Sequence, residues 1–134
     1  LDGVARNSEV KHVVGIRVMP PEVAVTKNVE IEVVTGRSGY LYLFHLGTDN
    51  KALTLVFPSQ VDQANHVESG KTRLPRPSWR LTAQGPSGQG YMLAVVSEVP
   101  QDLEVLRAQL GKNRILLNGP YGATVAAYRE IESD

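Results

Sequence analysis

The sequence predicts an all-β domain, an antiparallel β-sandwich of about seven strands with one short helix near the carboxyl end. Short runs of aromatic and branched residues recur at fairly regular spacing between Gly, Pro, Asn and Asp, which is typical of strands joined by turns. Several of these runs alternate apolar and polar residues with a period of two. Helical spacing occurs late in the chain, so the strand–helix alternation of a parallel α/β sheet is missing.

The clearest predicted element is a β-hairpin within Gly39–Ser59. Its first strand is Tyr40–Leu46, its turn is Gly47–Asn50, and its second strand is Leu53–Phe57, closed by Pro58. Aromatic and aliphatic runs on both sides of a polar turn favour this interpretation.

The first hairpin strand presents two apolar faces. One face carries Tyr40, Tyr42 and Phe44, and the other carries Leu41, Leu43 and His45. Because successive side chains of a strand point to opposite sides, these faces compete for the core. The aromatic face is expected to be core, and the alternative is an exposed docking surface.

Five further segments are predicted as strands and one as a helix. The strands are Lys11–Met19, Lys27–Thr35, Ser78–Ala83, Tyr91–Val96 and Thr124–Ile131. In Lys27–Thr35 the glutamates are expected on a wet face. Gln101–Leu110 is the helix, because Leu103, Leu106 and Leu110 recur at helical spacing and acidic residues occupy its first turn.

Two polar segments lie between the hairpin and the strand at Ser78. Pro58–Ser69 carries weak strand signals at His66 and Val67. Gly70–Pro77 is interpreted as a loop or a broken edge segment, because its two prolines restrict the backbone.

Length and composition restrict the class of protein. The 134 residues fit one domain, with residues 1–10 as a loose lead-in. Fourteen Lys and Arg balance fourteen Asp and Glu, so the net charge argues against a dedicated nucleic-acid binder. The absence of Cys excludes disulfides, thiolate zinc sites and cysteine nucleophiles.

No apolar stretch approaches the roughly 20 residues needed to span a bilayer. The chain opens Leu1-Asp2-Gly3 without an initiator Met. We therefore expect a domain of a longer protein, the alternative being a removed leader.

A glycine-rich segment suggests phosphate binding, but its context favours a structural role. Gly85, Gly88 and Gly90 form G-x-x-G-x-G, yet a strand follows where a phosphate loop needs a helix. The expected role is a strand-connecting loop with positive-φ positions. Ser87 lies within this loop, and a nucleophile elbow needs a second glycine where Gln89 stands. Ser87 is therefore interpreted as a turn serine.

The histidines His12, His45 and His66 are scattered and lack the spacing of metal ligands. His66 lies near Asp62 and Glu68, but the segment does not match a calcium loop. No metal or cofactor is predicted.

The strongest candidate for a binding surface is a basic cluster. Lys71, Arg73, Arg76 and Arg80 surround Trp79, and Arg and Trp are enriched at binding hot spots. An acidic partner, an anionic glycan or a phosphate group could bind there. The alternative is a solvated loop beside a core tryptophan, since the alternation places Trp79 inward.

The order of several segments resembles a known family. They are GRSGYLYLFHLGTDNKALTLVFPS and GKTRLPRPSWRLTAQGPSGQGYMLAVVSEVPQDL. The chain resembles, over Val29–Leu103, a bacterial β-sandwich family catalogued as a domain of unknown function. Members of that family are modules of larger proteins, fused to caspase-like peptidase or Ser/Thr-kinase regions or carried by envelope proteins, some near secretion systems.

The resemblance implies an accessory module and supplies no catalytic residues. The expected function is non-catalytic protein binding within a bacterial envelope or secretion-associated protein, in the periplasm or elsewhere outside the cytoplasm. The expected partner is a protein and not nucleic acid. The alternative is a small hydrolase using Ser87 with a histidine, or a carbohydrate-binding domain.

Overall fold

Two β-sheets pack against each other in the computed structural model, which describes residues 13–112 and 114–132. The strands and the helix are β1 (Val14–Met19), β2 (Glu22–Ala24), β3 (Asn28–Thr35), β4 (Gly39–Leu46), β5 (Leu53–Phe57), β6 (His66–Val67), β7 (Gly70–Leu74), β8 (Leu81–Thr82), β9 (Gly88–Ser97), α1 (Leu103–Leu110) and β10 (Tyr121–Ile131). The predicted lead-in at residues 1–10 and His12 lie outside the described residues.

The sheets differ in size. The four-stranded sheet has the order β1-β3-β7, with β8 pairing with the beginning of β3. The six-stranded sheet has the order β2-β10-β9-β4-β5, with β6 pairing with the beginning of β4. β2 and β10 pair in parallel, whereas the other strand pairs are antiparallel. The predicted all-β sandwich with one short helix is confirmed.

The main core lies between the sheets. Ile31, Val33 and Leu74 come from the four-stranded sheet, and Leu41 and Leu43 come from the six-stranded sheet. The predicted alternation of β3 is confirmed for its apolar residues. The prediction that its glutamates lie on a solvent-exposed face is wrong in part, because Glu32 is buried whereas Glu30 is exposed.

A second core lies on the outer side of the six-stranded sheet, beneath helix α1. Tyr42 and Phe44 of β4 are buried there against Leu106 and Leu110 of the helix. The expectation that the aromatic face is core is confirmed. The expected competition, in which the losing face becomes a surface patch, is wrong because both faces of β4 are buried. The helix resolves the competition by covering the aromatic face.

Helix α1 forms where its sequence signals predict it. The Asp102 carboxylate accepts hydrogen bonds from the backbone N–H of Glu104 at 2.9 Å and Val105 at 3.2 Å, which is N-capping. Gly111 follows the last turn. A helix of this length is stabilised mainly by docking an apolar face.

Two segments differ from the prediction. Gly70–Leu74 is a regular strand in register with β3, so its interpretation as a loop or broken edge segment is wrong. The prolines that suggested a break follow the strand instead of interrupting it. The strand predicted at Ser78–Ala83 shrinks to Leu81–Thr82, and β2 was missed because it has three residues.

Docking of helix α1 predicts a large difference between neighbouring substitutions. Leu106→Ala should lower the free energy of unfolding by about 2–5 kcal/mol, because it removes a side chain that is 1% exposed and leaves a cavity. Val105→Ala on the same helix should change it by less than about 1 kcal/mol, because Val105 is 48% exposed. Urea unfolding followed by circular dichroism measures both. Equal effects would contradict the assigned helix face.

Candidate functional site

The structure places the five predicted binding residues in three locations. Lys71 and Arg73 lie on the outer face of the four-stranded sheet, on β7. Arg76 and Trp79 lie together beside Asp62. Arg80 lines a cavity that also contains His45. The segment therefore does not form one continuous basic surface.

The outer face of the four-stranded sheet carries a row of charges that crosses three strands. Arg17, Glu32 and Arg73 are register neighbours on β1, β3 and β7. Glu32 Oε1 lies 3.2 Å from Arg17 Nη2, and Glu32 Oε2 lies 3.8 Å from Arg73 Nη2. Arg73 Nη1 also lies 3.3 Å from Glu30 Oε1. Glu32 lies on the solvent-facing side of the sheet and is nevertheless buried, because an arginine flanks it on each side.

These charges leave an exposed surface. The side chains of Arg17 and Arg73 are 64% and 61% exposed, so their ion pairs contribute little to stability. Val34 is 40% exposed and is the register neighbour of Lys71. We call Arg17, Val34, Lys71 and Arg73 the outer-sheet patch.

Asp62 anchors the second group. Trp79 Nε1 donates to Asp62 Oδ2 at 2.9 Å, and Arg76 Nη1 lies 3.4 Å from Asp62 Oδ1. The Trp79 ring stacks parallel to Phe57 with ring centres 6.1 Å apart, and the Arg76 guanidinium lies 5.1 Å from the Phe57 ring centre. Trp79 packs against the main core, as the alternation predicts.

The Asp62 cluster also fixes the loop after β5. Ser59 and Asp62 exchange two backbone hydrogen bonds, of 3.0 and 3.1 Å. The contacts of Arg76 and Trp79 with Asp62 therefore hold this loop in place. Sequence reasoning chose both residues as partner contacts, whereas much of their polar and aromatic surface serves the fold.

A third polar cluster lies at one end of the sandwich. Tyr128 Oη donates to Glu130 Oε2 at 2.7 Å and lies 2.8 Å from His45 Nε2. Because the single Tyr128 proton goes to Glu130, we assign the donated proton of the second bond to His45 Nε2, which leaves Nδ1 as an acceptor. Arg80, His45 and Tyr128 line a cavity of about 170 Å³ here.

Burial tunes the two titratable groups of this cluster. Burial lowers the pKa of His45 from its ordinary value, and the negative charges of Glu130 and Asp49 oppose this shift in part. Burial also raises the pKa of Tyr128, as do its hydrogen bond to Glu130 and the Glu130 charge. Tyr128 bridges Glu130 and His45 through its hydroxyl.

The glycine motif serves this cluster. The Gly85 N–H donates to Glu130 Oε1 at 2.7 Å, so the loop binds a carboxylate of the protein itself. Gly85 and Gly88 have φ of 76° and 145°, and a Cβ on Gly90 would lie 2.7 Å from the Tyr128 ring. The structural interpretation of the motif is confirmed, although Gly88 and Gly90 belong to strand β9.

Sequence reasoning missed Tyr128 and Glu130 as a pair. Both point inward from β10 and are buried. The period-two pattern of the last strand places them on one face, which was a usable signal. Their partners His45 and Gly85 are distant in sequence and leave no local signal.

Ser87 and His66 lack the arrangements that catalysis or metal binding needs. Ser87 is exposed beside a shallow cavity of about 390 Å³, and no histidine is among the described residues that line it. His66 packs edge-on against Tyr40, with ring centres 4.9 Å apart. Within residues 13–112 and 114–132, no group of three or more His, Asp and Glu is placed to hold a metal ion.

Comparison with known proteins yields one match. A family model described as "Domain of unknown function (DUF4384)" matches residues 22–100, which is more than half of the chain. No curated protein and no solved structure matches. None of the helices in the described part of the chain is long and apolar enough to cross a membrane.

Removing the Asp62 charge should loosen the Trp79 loop. We expect Asp62→Asn to lower the free energy of unfolding by about 1–3 kcal/mol, because Arg76 loses its buried counter-charge. Trp79 is the one tryptophan in the sequence, so its fluorescence emission reports the loop directly and should change. Glu68→Gln, at an 87% exposed side chain, is the matched control. An unchanged emission and stability in Asp62→Asn would show that the anchor is unimportant.

The His45 environment predicts a loss of stability on acidification. The ordinary pKa of histidine is 6.5, and burial places the folded-state pKa of His45 below it. As pH falls below about 6.5 the unfolded chain binds a proton that the folded chain does not, so stability decreases until the folded pKa is passed. His45→Gln should reduce this decrease between about pH 7.5 and 5.5, measured by urea unfolding. An NMR midpoint for His45 above 6.5 would contradict the assignment.

Proposed function

The chain belongs to the DUF4384 family of domains of unknown function, and we propose that it is a non-catalytic module that binds a protein partner through the outer-sheet patch. The observation that carries this proposal is the exposure of Arg73, whose side chain is 61% exposed on a regular strand with its guanidinium beside Glu30 and Glu32. Because these exposed ion pairs are weak, the guanidinium can exchange them for a carboxylate of a partner.

The difference between the two sheets supports this choice of surface. Helix α1 covers part of the outer side of the six-stranded sheet. On the four-stranded sheet, Arg17, Val34 and Arg73 stay exposed on a face formed by regular strands. Rigid strands hold side chains more precisely than loops do, which suits a recognition surface.

Charge suggests the kind of partner. The patch has three cations, Arg17, Lys71 and Arg73, beside the two carboxylates of Glu30 and Glu32. In the described residues, Lys71 has no ion pair, so it presents its charge to solvent. An acidic protein surface with an apolar centre would match the basic rim and the Val34 side chain.

The resemblance of the sequence to a family of accessory modules supports a further part of the proposal. The module belongs to a bacterial envelope or secretion-associated protein and acts outside the cytoplasm. The alternative hydrolase gains no support from the surroundings of Ser87. The alternative carbohydrate platform gains none either, because Tyr42 and Phe44 are covered and not exposed as a flat row.

Site-specific cross-linking tests the proposed surface. A photo-reactive amino acid at position 17, 34 or 71 of the full-length protein should capture a partner in the native cell. The same group at Val125, which is 59% exposed on β10, is the control. The captured protein is then purified and its dissociation constant for this chain is measured by calorimetry.

In the purified pair, Lys71→Glu and Arg73→Ala should each weaken binding about tenfold, the size expected for a hot spot. Lys51→Glu, an exposed charge in the β4–β5 turn, should leave the affinity unchanged. Capture at position 125 alone, or equal affinities for all variants, would overturn the surface. Capture of cytoplasmic proteins alone would overturn the location.

A further inference from the structure

A half-open cavity of about 360 Å³ lies between helix α1 and the loop after β5. It is on the side of the six-stranded sheet, so it is separate from the outer-sheet patch and independent of the function proposed above. Tyr40, Tyr42, Pro58 and Pro100 contribute its aromatic and apolar lining. This volume is within the range of sites for small ligands.

Tyr42 brings an unused hydrogen-bond donor to the cavity. Its side chain is 1% exposed, and its hydroxyl oxygen accepts the Gln101 backbone N–H at 2.7 Å. Among the described residues, the Tyr42 hydroxyl proton has no acceptor. A buried donor without an acceptor is unfavourable, so an occupant that accepts this proton is favoured.

Ser59 adds a second buried hydroxyl. Its Oγ has no hydrogen-bond partner in the described part of the chain, and the residue lines the same cavity. The two backbone bonds between Ser59 and Asp62 fix its position, and Trp79 in turn holds Asp62. This wall of the cavity is therefore built before any ligand arrives.

Arg107 supplies positive charge. It lies in the last turn of α1 and lines the cavity. Within the described residues its guanidinium has no hydrogen-bond or ion-pair partner. The Gln101 side chain is already engaged within the protein, because its Oε1 accepts the Asn118 N–H and its Nε2 donates to Ser97 and to the Asn118 carbonyl.

The cavity thus offers the Arg107 guanidinium and two hydroxyls as donors, beside the amides of Gln60, Gln63 and Asn65, and the rest of its surface is aromatic and apolar. We propose that this cavity binds a carboxylate carried on an apolar or aromatic group. Arg107 pairs with the carboxylate, and the Tyr42 and Ser59 hydroxyls, which are buried in the cavity wall, donate to its oxygens or to a neighbouring carbonyl when ligand binding turns them toward the cavity. A small aromatic acid and the carboxyl terminus of a polypeptide share this chemistry.

NMR titration of the full chain tests the site. N-acetyl-L-phenylalanine should shift the amide signals of Ser59, Gln101 and Arg107, and N-acetyl-L-phenylalanine amide should bind about tenfold more weakly because it lacks the charge. A peptide of five glycines ending in phenylalanine carries the same terminus on a longer chain. Tighter binding of the peptide than of the small acid supports a polypeptide terminus, and equal binding supports recognition of the acid group alone.

Variants locate the binding. Arg107→Gln and Ser59→Ala should each weaken binding of N-acetyl-L-phenylalanine, Arg107→Gln by about tenfold. Arg114→Gln, an exposed arginine outside the cavity, should leave it unchanged. Tyr42→Phe should also weaken binding, and its amide spectrum checks that the fold is intact. Equal binding of the acid and its amide, or shifts confined to other residues at millimolar concentrations, would overturn the proposal.

Discussion

The burial of strand β4 on both faces is the constraint on which the rest of this structure depends. Leu41 and Leu43 fill the space between the sheets, while Tyr42 and Phe44 need a second cover on the outside. Burying a side chain such as Phe44 contributes about 1.5–3 kcal/mol. β4 also pairs with β5, β6 and β9. Helix α1 therefore covers the strand that joins these parts of the larger sheet.

This requirement makes the two sheets unequal. The larger sheet uses the helix to shield an apolar outer side, and the smaller sheet keeps its outer side in water. On that side the smaller sheet carries charges of alternating sign, and Glu32 lies between Arg17 and Arg73. The two proposed binding sites differ in the same way. The outer-sheet patch is open and charged, whereas the cavity beside α1 is recessed and lined by aromatic and amide groups.

Local patterns could predict much of the fold. The hairpin, the helix and the apolar alternation in β3 each have a signal within about twenty residues, and each forms. The short strand β2 could not be predicted, because its stability comes from a parallel pairing with β10 at the other end of the chain. The burial of both β4 faces at once could not be predicted either, since the helix that covers one of them follows after Pro100 and no local pattern shows where it docks.

The sites were predictable by residue type but not by partner. The charges of Lys71 and Arg73 make them candidates in the sequence. Their position on a regular strand depends on the register of β7 with β3, which the sequence does not show. Trp79 was expected to point inward, yet its acceptor Asp62 lies 17 residues earlier. The Gly85 loop suggested anion binding, and the anion proved to be Glu130, which follows 45 residues later. In each case the local sequence shows the residue type, whereas the position of its partner depends on contacts between distant parts of the chain.

The Asp62 cluster changes how substitutions in the basic segment should be interpreted. Arg76 and Trp79 have the residue types of a binding hot spot, but they hold the loop that forms one wall of the cavity. A change at Arg76 would therefore disturb Ser59 through Asp62. Loss of binding in such a variant does not locate a contact at Arg76, whereas a change at Lys71 removes a solvent-facing charge and leaves the cluster intact. Substitutions at Lys71 and at Arg76 therefore distinguish a loss of binding at the outer-sheet patch from a loss of support for the cavity wall.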